Sequence, residues 1–489
     1  NGGQATCTIT NKDIAPKLTL NKILVKDNGG NASESDWELT ASGVGDIGQI
    51  SGLGAAGSAD VVSDDATFKA GTYTLSESAG PSGYTASAWS CSGGKSPNAN
   101  NQITLNLGDD VTCTITNDDK APSLKLVKKV VNDNGGKKAP ADWTLSAAGP
   151  TSIYGYGDAT SDDTFKAGAY TLGETDIDGY HVGVDWSCSP IANSGDKITL
   201  GLGQATTCEI TNDDDPASIS GTKTITNTDL SWINDGKPPV SGWVIYLDQD
   251  QNGVLDTYER STTTDADGNY NFGDLVAGVN YYVNEVITSL GNGWEQITGV
   301  TKPINLTLGQ NSKDNDFSNK AYGHITVIKQ IEPDTDEGKF NLLIDGVAHA
   351  TNVGNNGTTG SIKVEAGTHT VGEELAGISE NLAKYYTTTY SCNNDMNGSS
   401  ATITNIVIAA GSDVTCTFAN TRKTGTVKVV KDVVNDNGGT KTAAKDFTFT
   451  NNGGTPLTFT ETTEPNGQHI LTLPVGSTFD IKEVQENQD

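Results

Sequence analysis

The sequence predicts an all-β chain of tandem antiparallel β-sandwich domains in series. Three observations predict it. The chain repeats itself at domain-sized intervals, its apolar residues alternate along short segments punctuated by Gly and Asn, and no stretch carries the i, i+3, i+4, i+7 apolar spacing of a helix.

The repeat is explicit. TCTITNKD around Cys7 returns as TCTITNDD around Cys113, TCEITNDD around Cys208 and TCTFANT around Cys416. LTLNKILVKDNGG matches LKLVKKVVNDNGG and VKVVKDVVNDNGG, FKAGTYTLSES matches FKAGAYTLGET, and AWSCSGG matches DWSCSP and TYSCNN. The lysines that open each unit, Lys22, Lys128, Lys223, Lys329 and Lys431, lie roughly 100 residues apart, longer than the ~20–50 residues of a solenoid repeat, so each unit should close its own core. The expected boundaries are 1–14 for the end of a preceding repeat, 15–119, 120–215, 216–322 and 323–422 for four repeats, and 423–489 for a truncated fifth. Linkers such as TNDDKAP and TNDDDPA are short and stiff. Both ends of the sequence read as internal fragments of the repeat, so the expectation is an excerpt of a longer protein.

The 61 acidic residues outnumber the 31 basic ones, for a net charge of −30. Such a surface excludes nucleic acid and anionic membrane as partners and favours divalent cations, although acidic residues also serve solubility alone. No apolar run reaches the ~18–20 residues of a membrane span.

Side chains alternate faces along a strand, so residues two apart share an environment. Lys22 is in phase with Leu18 and Leu20, Lys128 with Leu124 and Leu126, Lys329 with Ile325 and Val327, and Lys431 with Val427 and Val429. The same phase carries Glu77 after Leu75, Glu174 after Leu172, Glu285 after Val283, Glu373 after Val371 and Glu483 after Ile481. It carries Asn117 after Ile115, Asn212 after Ile210, Asn319 after Phe317 and Asn420 after Phe418. One Lys, one Glu and one Asn should therefore face inward per unit. Burying such a pair is costly without compensation. Two accounts fit: a satisfied polar cluster with lysines reaching the rim, or an amide bond between Lys and Asn. In the second, burial favours the neutral amine and the protonated Glu, which polarises the Asn carbonyl and shuttles protons as ammonia leaves.

These residues resemble the Cna-B-type and prealbumin-like repeat domains of bacterial surface adhesins and pilins, over nearly the whole chain. The resemblance implies immunoglobulin-like or prealbumin-like sandwiches and isopeptide sets at Lys22, Glu77 and Asn117; Lys128, Glu174 and Asn212; Lys223, Glu285 and Asn319; and Lys329, Glu373 and Asn420. Lys431 and Glu483 have no matching Asn. Gly221 before Lys223 weakens the strand signature of the third unit.

Six of the seven cysteines form pairs at similar spacing within repeats: Cys91 with Cys113, Cys188 with Cys208 and Cys392 with Cys416. Cys7 is left for a partner in a preceding repeat. Zinc fits poorly, since there is no CxxC motif, and disulfides imply an extracellular compartment.

The third repeat lacks cysteines and carries DQDQNGVLDTYE, which matches an EF-type calcium loop: Asp248, Asp250, Asn252, the Val254 carbonyl, Asp256 and Glu259 as ligands, with Gly253 at the turn. With TTTDADGNYNFGDL following, this domain resembles the calcium-binding B-type repeats of staphylococcal Sdr adhesins; the competing account is an Asx-rich turn without metal. VNDNGG at Asp133 and Asp436, with Asp142 and Asp446, reads either as a hairpin turn or as a further calcium site.

The functional expectation is a non-enzymatic stalk or fibre segment on the bacterial cell surface or in a secreted fibre. Its partners are neighbouring repeats of the same chain and like chains in a filament. The alternative is an adhesin module binding a protein or glycan through the third domain, around Trp232, Trp243 and Trp294. No GxSxG, HExxH or phosphate-cradling motif supports an enzyme.

Overall fold

The computed structural model describes residues 2–45, 47–55, 61–63, 67–463 and 466–485. Parts of the first and fifth repeats as bounded above, including 486–489, lie outside the described residues. The chain falls into two compact units. One comprises Asn1–Ser218 with Gly273–Val279 and Asn305–Asn311; the other comprises Ile219–Phe272, Asn280–Ile304 and Ser312–Asp489.

Alternation builds the strands. In Asp110–Asp119, Val111, Cys113, Ile115, Asn117 and Asp119 are buried and the residues between them are not. The opening strand Lys17–Val25 buries Leu18 and Leu20 and stands between Val61–Val62 and Asp110–Asp119, while Gln49–Leu53, Glu38–Gly43, Gly71–Glu77 and Gln102–Leu105 form the facing sheet. Leu39, Tyr73, Leu75 and Ile103 fill the space between the sheets. The second repeat copies this plan with Asp158–Thr160, Ser123–Val131, Ala205–Asp214 and Tyr180–Ser189 in one sheet, and Ile153–Tyr156, Thr144–Ala148, Gly168–Glu174 and Lys197–Leu200 in the other.

Antiparallel pairing has one regular exception. The opening strand runs parallel to the closing strand of its own repeat: Lys17–Val25 beside Asp110–Asp119, Ser123–Val131 beside Ala205–Asp214, Lys223–Ile225 beside Phe317–Asn319, and His324–Glu332 beside Asp413–Thr421. Parallel neighbours need a long crossover, and here the rest of the repeat supplies it.

Phe317–Glu332 is a single 16-residue strand. Its first residues close the third repeat and its later ones open the fourth. The strand Ala217–Ile225 runs through Gly221 without a break, contrary to the expectation of a weakened strand. A Cβ there would stand 2.2 Å from the Asn315 carbonyl oxygen, so glycine is what the close approach admits.

The DNGG segments are not hairpin turns. In the first two repeats the segment leads from the opening strand into the facing sheet, and a buried carboxylate of the closing strand gathers its amides. Asp119 accepts the N–H groups of Asn28 (3.0 Å) and Gly30 (2.6 Å), and Asp214 those of Asp133 (3.0 Å), Asn134 (3.0 Å) and Gly136 (2.5 Å). Gly29 and Gly135 hold φ of 90° and 95°, a region that favours glycine.

The fifth repeat differs. Its opening strand Thr424–Lys431 pairs antiparallel with Asn466–Pro474, and among the described residues no strand lies on its other edge.

Leu145 is fully buried in the second core, so Leu145→Ala should lower the stability of that repeat by about 2–5 kcal/mol. Thr171→Ala on an exposed strand position should change it by no more than about 0.5 kcal/mol. Urea midpoints of the two variants against the parent measure the difference.

Candidate functional site

The parallel ladders bring the sequence-predicted residues together. Lys22 is opposite Ile115 and Leu24 opposite Asn117, so Lys22 and Asn117 lie diagonally on the same inward face. Lys128 and Asn212, Lys223 and Asn319, and Lys329 and Asn420 repeat that diagonal. The glutamate arrives from the facing sheet, at the end of Gly71–Glu77, Gly168–Glu174 or Val283–Glu285, or within Gly367–Leu375.

Lys22 Nζ lies 2.8 Å from Glu77 Oε2, and Lys128 Nζ pairs with Glu174 Oε2. Lys223 Nζ is 2.9 Å from Glu285 Oε2 and Lys329 Nζ 2.7 Å from Glu373 Oε2, neither contact being aligned as a hydrogen bond. All four lysine side chains have no exposed surface. The Oδ1 atoms of Asn117, Asn212, Asn319 and Asn420 are buried with no hydrogen-bond partner. Each site thus sets a buried amine and its paired glutamate on the same inward face as an asparagine whose side-chain oxygen has no hydrogen-bond partner.

Burial dominates the electrostatics. It lowers the Lys128 amine, and it pushes Lys223 and Lys329 down to about 8, against the opposing pull of Glu174, Glu285 and Glu373. It raises the carboxyls of Glu285 and Glu373, opposed first by their lysines and then by Asn319 and Asn420. Both shifts favour the neutral forms that amide formation needs: a free amine and a carboxylic acid.

An aromatic ring caps each amine. The Nζ of Lys22 stands 4.7 Å from the ring centroid of Trp37, Lys128 4.7 Å from Trp143, Lys223 4.4 Å from Trp243, and Lys329 4.4 Å from Phe340. The expectation drawn from strand phase overlooked these rings. The signal was present as an aromatic residue opening the second strand in DWELT, DWTLS, GWVIY and KFNLL.

In the fifth repeat Lys431 Nζ lies 2.9 Å from Glu483 Oε1 and 4.1 Å from the Phe447 ring, but the side chains remain 20% and 46% exposed. Phe479, in strand phase with Ile481 and Glu483, is exposed. With nothing described beside the free edge of Thr424–Lys431, the inward face of this repeat is only half covered.

Disulfides join Cys91 to Cys113, Cys188 to Cys208 and Cys392 to Cys416, and Cys7 is exposed. In the loop 248–259, carboxylate oxygens of Asp248, Asp250 and Glu259 lie within 4.8 Å of one another, with Asp248 and Glu259 buried. Backbone amides of Asn252 and Gly253 and the Asn284 side chain orient Asp248, while the amides of Gln249 and Asp256 orient Glu259. Three carboxylates so close repel one another unless a cation offsets them, so the oxygen-rich set fits calcium. Asp256 stands outside that trio, bonded to Asn252 Nδ2 (2.9 Å), and the Val254 side chain is exposed.

Asp142 does not join Asp133. It caps its own turn by accepting the Ala139 N–H (2.7 Å), as Asp446 does for Ala443 (3.0 Å), and Asp133 groups instead with Asp213 and Asp214. Nor do the three tryptophans form an open platform: Trp243 is fully buried over Lys223, and Trp294 packs edge-on against both Trp243 and Trp232.

The fold and these sites define a tandem array of β-sandwich repeats with a buried Lys, Glu and Asn between the first and last strands. Family models described as the prealbumin-like fold domain match residues 13–115, 119–210 and 422–477, and a second such model matches 334–422. The chain belongs to that family. No curated protein sequence matches it. Among solved structures it is similar to the Bacillus anthracis TIE protein (14% identity, 78% of this chain and 68% of that one, TM-score 0.36). It is also similar to two B repeat units of the collagen-binding protein of Staphylococcus aureus (14%, 83% and 100%, TM-score 0.21). A third is the major pilin subunit BcpA of Bacillus cereus (13%, 62% and 99%, TM-score 0.24).

In Asn319→Ala no amide can form, and Lys223 stays titratable. Its folded pKa of about 8 is below the unfolded value of about 10.4, so the folded form sheds its proton first. Stability of the third repeat should then rise as pH climbs from about 8 to about 10.4. Denaturant midpoints at the two pH values, compared with the Lys223→Met, Asn319→Ala double variant, measure the rise; equal slopes in both would show that Lys223 does not drive it.

Proposed function

We propose that this chain is a non-enzymatic, tension-bearing stalk or fibre segment of a bacterial extracellular or cell-surface protein. Four of its repeats are closed by an internal amide between Lys and Asn: Lys22 to Asn117, Lys128 to Asn212, Lys223 to Asn319 and Lys329 to Asn420. The observation that supports this reading is the fourfold recurrence of a buried lysine amine and an asparagine with an unpaired side-chain oxygen across the parallel pair of end strands, with a glutamate from the facing sheet on the amine. In the reaction the neutral lysine nitrogen attacks Asn Cγ, the glutamic acid polarises the carbonyl and carries the proton, and ammonia leaves. It happens once per site, so the product is a stapled domain.

Tension enters a repeat at its opening strand and leaves at its closing strand. An amide between those two strands carries the force past the rest of the sandwich. It also closes a loop of about 84 to 96 residues, a constraint on the unfolded chain of about 4–5 kcal/mol. Disulfides support an oxidising, extracellular setting. Calcium held by Asp248, Asp250, Asn252, Val254, Asp256 and Glu259 would order the long loop of the third repeat, which has no disulfide among its described residues. Neighbouring repeats, and like chains in a filament, are the partners this role requires.

The intact mass of the reduced, denatured chain should fall short of the sequence mass by one ammonia for each of the four sites, and Lys128→Ala should abolish one of those losses. An unmodified mass would reduce the sites to polar clusters. For calcium, a free concentration 100-fold above Kd should stabilise the third repeat by about 2.7 kcal/mol. Asp248→Ala should remove that gain, as read from melting curves with and without chelator.

A further inference from the structure

The strand that delivers the glutamate is built differently in the third repeat. Gly71–Glu77, Gly168–Glu174 and Gly367–Leu375 are continuous strands inside four-stranded facing sheets. Their counterpart in the third repeat is interrupted at Tyr282, leaving Asn280–Tyr281 as a separate short strand. Val283–Glu285 is then the three-residue edge of a sheet that has only three strands among the described residues, in the order Ser261–Thr263, Val244–Leu247 and Val283–Glu285. Trp243, whose ring lies over Lys223, immediately precedes the middle strand, and Glu285 stands opposite Ile245. Both groups that the facing sheet supplies to the Lys223 and Asn319 site therefore depend on the position of Val244–Leu247.

That strand runs directly into the calcium loop. Loop 248–259 joins Val244–Leu247 to Ser261–Thr263, with Asp248 and Glu259 buried at its two stems and the Leu247 N–H donated to the Arg260 carbonyl (2.9 Å) between them. Asp248 also reaches sideways to the segment of the glutamate. Its N–H donates to the Tyr282 carbonyl (2.8 Å), where that segment is interrupted, and its Oδ2 accepts from Asn284 Nδ2 (2.7 Å), the residue before Glu285. The first residue of the loop is thus tied twice to the short strand that carries the acid of the amide site.

We propose that Asp248 and Asn284 position Glu285 when calcium occupies the loop, so that the Lys223–Asn319 amide forms rapidly only with the ion bound, whereas the other three amides form without it. The inference rests on the amide and calcium readings given above. Asp248, Asp250 and Glu259 repel one another while their charges are unbalanced, which works to part the stems of the hairpin. With that charge offset, Asp248 and Glu259 hold the stems together, and the bonds to Tyr282 and Asn284 fix the three-residue strand beside them. Misplacing a reacting group by about 1 Å can cost about 100-fold in rate, so an edge strand of this length is where such a hold matters. The covalent step itself is unchanged: a bond forms between Lys223 Nζ and Asn319 Cγ, and the carboxamide C–N bond of Asn319 breaks. Its nitrogen leaves as ammonia with the proton that Glu285 passes from the amine, and nothing is oxidised or reduced.

The test is cell-free synthesis of the full 489-residue chain with calcium or with a calcium chelator, followed over time by peptide mass mapping of the reduced, denatured product. Ammonia loss at Lys22–Asn117, Lys128–Asn212 and Lys329–Asn420 should proceed equally in both. Loss at Lys223–Asn319 should be at least about tenfold slower with chelator and should recover when calcium is added. Asp248→Ala should be slow at that site in both conditions. Asn284→Ala should stay slow even where added calcium no longer raises the melting temperature; full recovery there overturns the positioning role of Asn284. Equal rates at the third site with and without calcium overturn the coupling and leave the amides standing. Absence of ammonia loss at every site overturns the amide reading beneath it, and a melting curve indifferent to calcium overturns the calcium reading. Hydrogen exchange of the Asn319→Ala chain, which cannot join, separates positioning from folding. With chelator, Ala217–Ile225 should stay protected while Val283–Glu285 loses protection, and loss across the whole repeat overturns the positioning account.

Discussion

The parallel pairing of the first and last strand in each of the first four repeats is the constraint from which the rest follows. It makes the two ends of a hundred-residue segment immediate neighbours and fixes their register. The lysine and the asparagine fall on one diagonal of one face because a strand's side chains repeat every two residues. The facing sheet has only to deliver a glutamate at the end of a strand, and an aromatic residue at the start of another, for the site to be complete. The lysine, the asparagine and the glutamate all stand on strands, and Trp37, Trp143 and Trp243 immediately precede one. The geometry is therefore as rigid as the sheets, which suits a reaction whose partners must be aligned without a substrate to organise them.

The sites also solve an energetic difficulty. A lysine and a glutamate enclosed among Leu, Ile and Trp side chains lose their hydration, and their mutual attraction seldom restores all of it. Burial pushes the amines of Lys128, Lys223 and Lys329 down and the carboxyls of Glu285 and Glu373 up, toward their neutral forms. The proposed amide would remove the ionisable amine altogether. What is a cost before the reaction is the driving condition for it. The half-covered Lys431 and Glu483 show the contrast: the same three chemical groups, lysine, acid and ring, stand in contact, but solvent still reaches them.

Much of this was legible in the sequence. The row Leu18, Leu20, Lys22 and its counterparts announced inward-facing lysines, since local alternation is all that such a statement needs. The EF-type loop declared its carboxylates by spacing alone. Three features were not legible, for related reasons. Trp37 and Trp143 meet their lysines across two sheets, a contact that strand phase within one segment does not encode. The buried Asp119 and Asp214 sit in an acidic run that reads as solvated linker, and only the fold reveals that they hold the DNGG amides. Gly221 looks like a weak point in a strand, whereas the close passage of Asn315 makes it the fitting residue.

The 16-residue strand Phe317–Glu332 carries Asn319 of one repeat and Lys329 of the next. Nine residues lie between them, all of them in extended backbone. Such backbone advances about 3.3 Å per residue, and a chain pulled taut can reach only about 3.3–3.6 Å. The tie between the two sites is thus drawn to nearly its full contour length before any load arrives. It has no slack to surrender and no coil to straighten, so under tension it acts as an inextensible rod, passing a pull from one site to the next without storing work of its own.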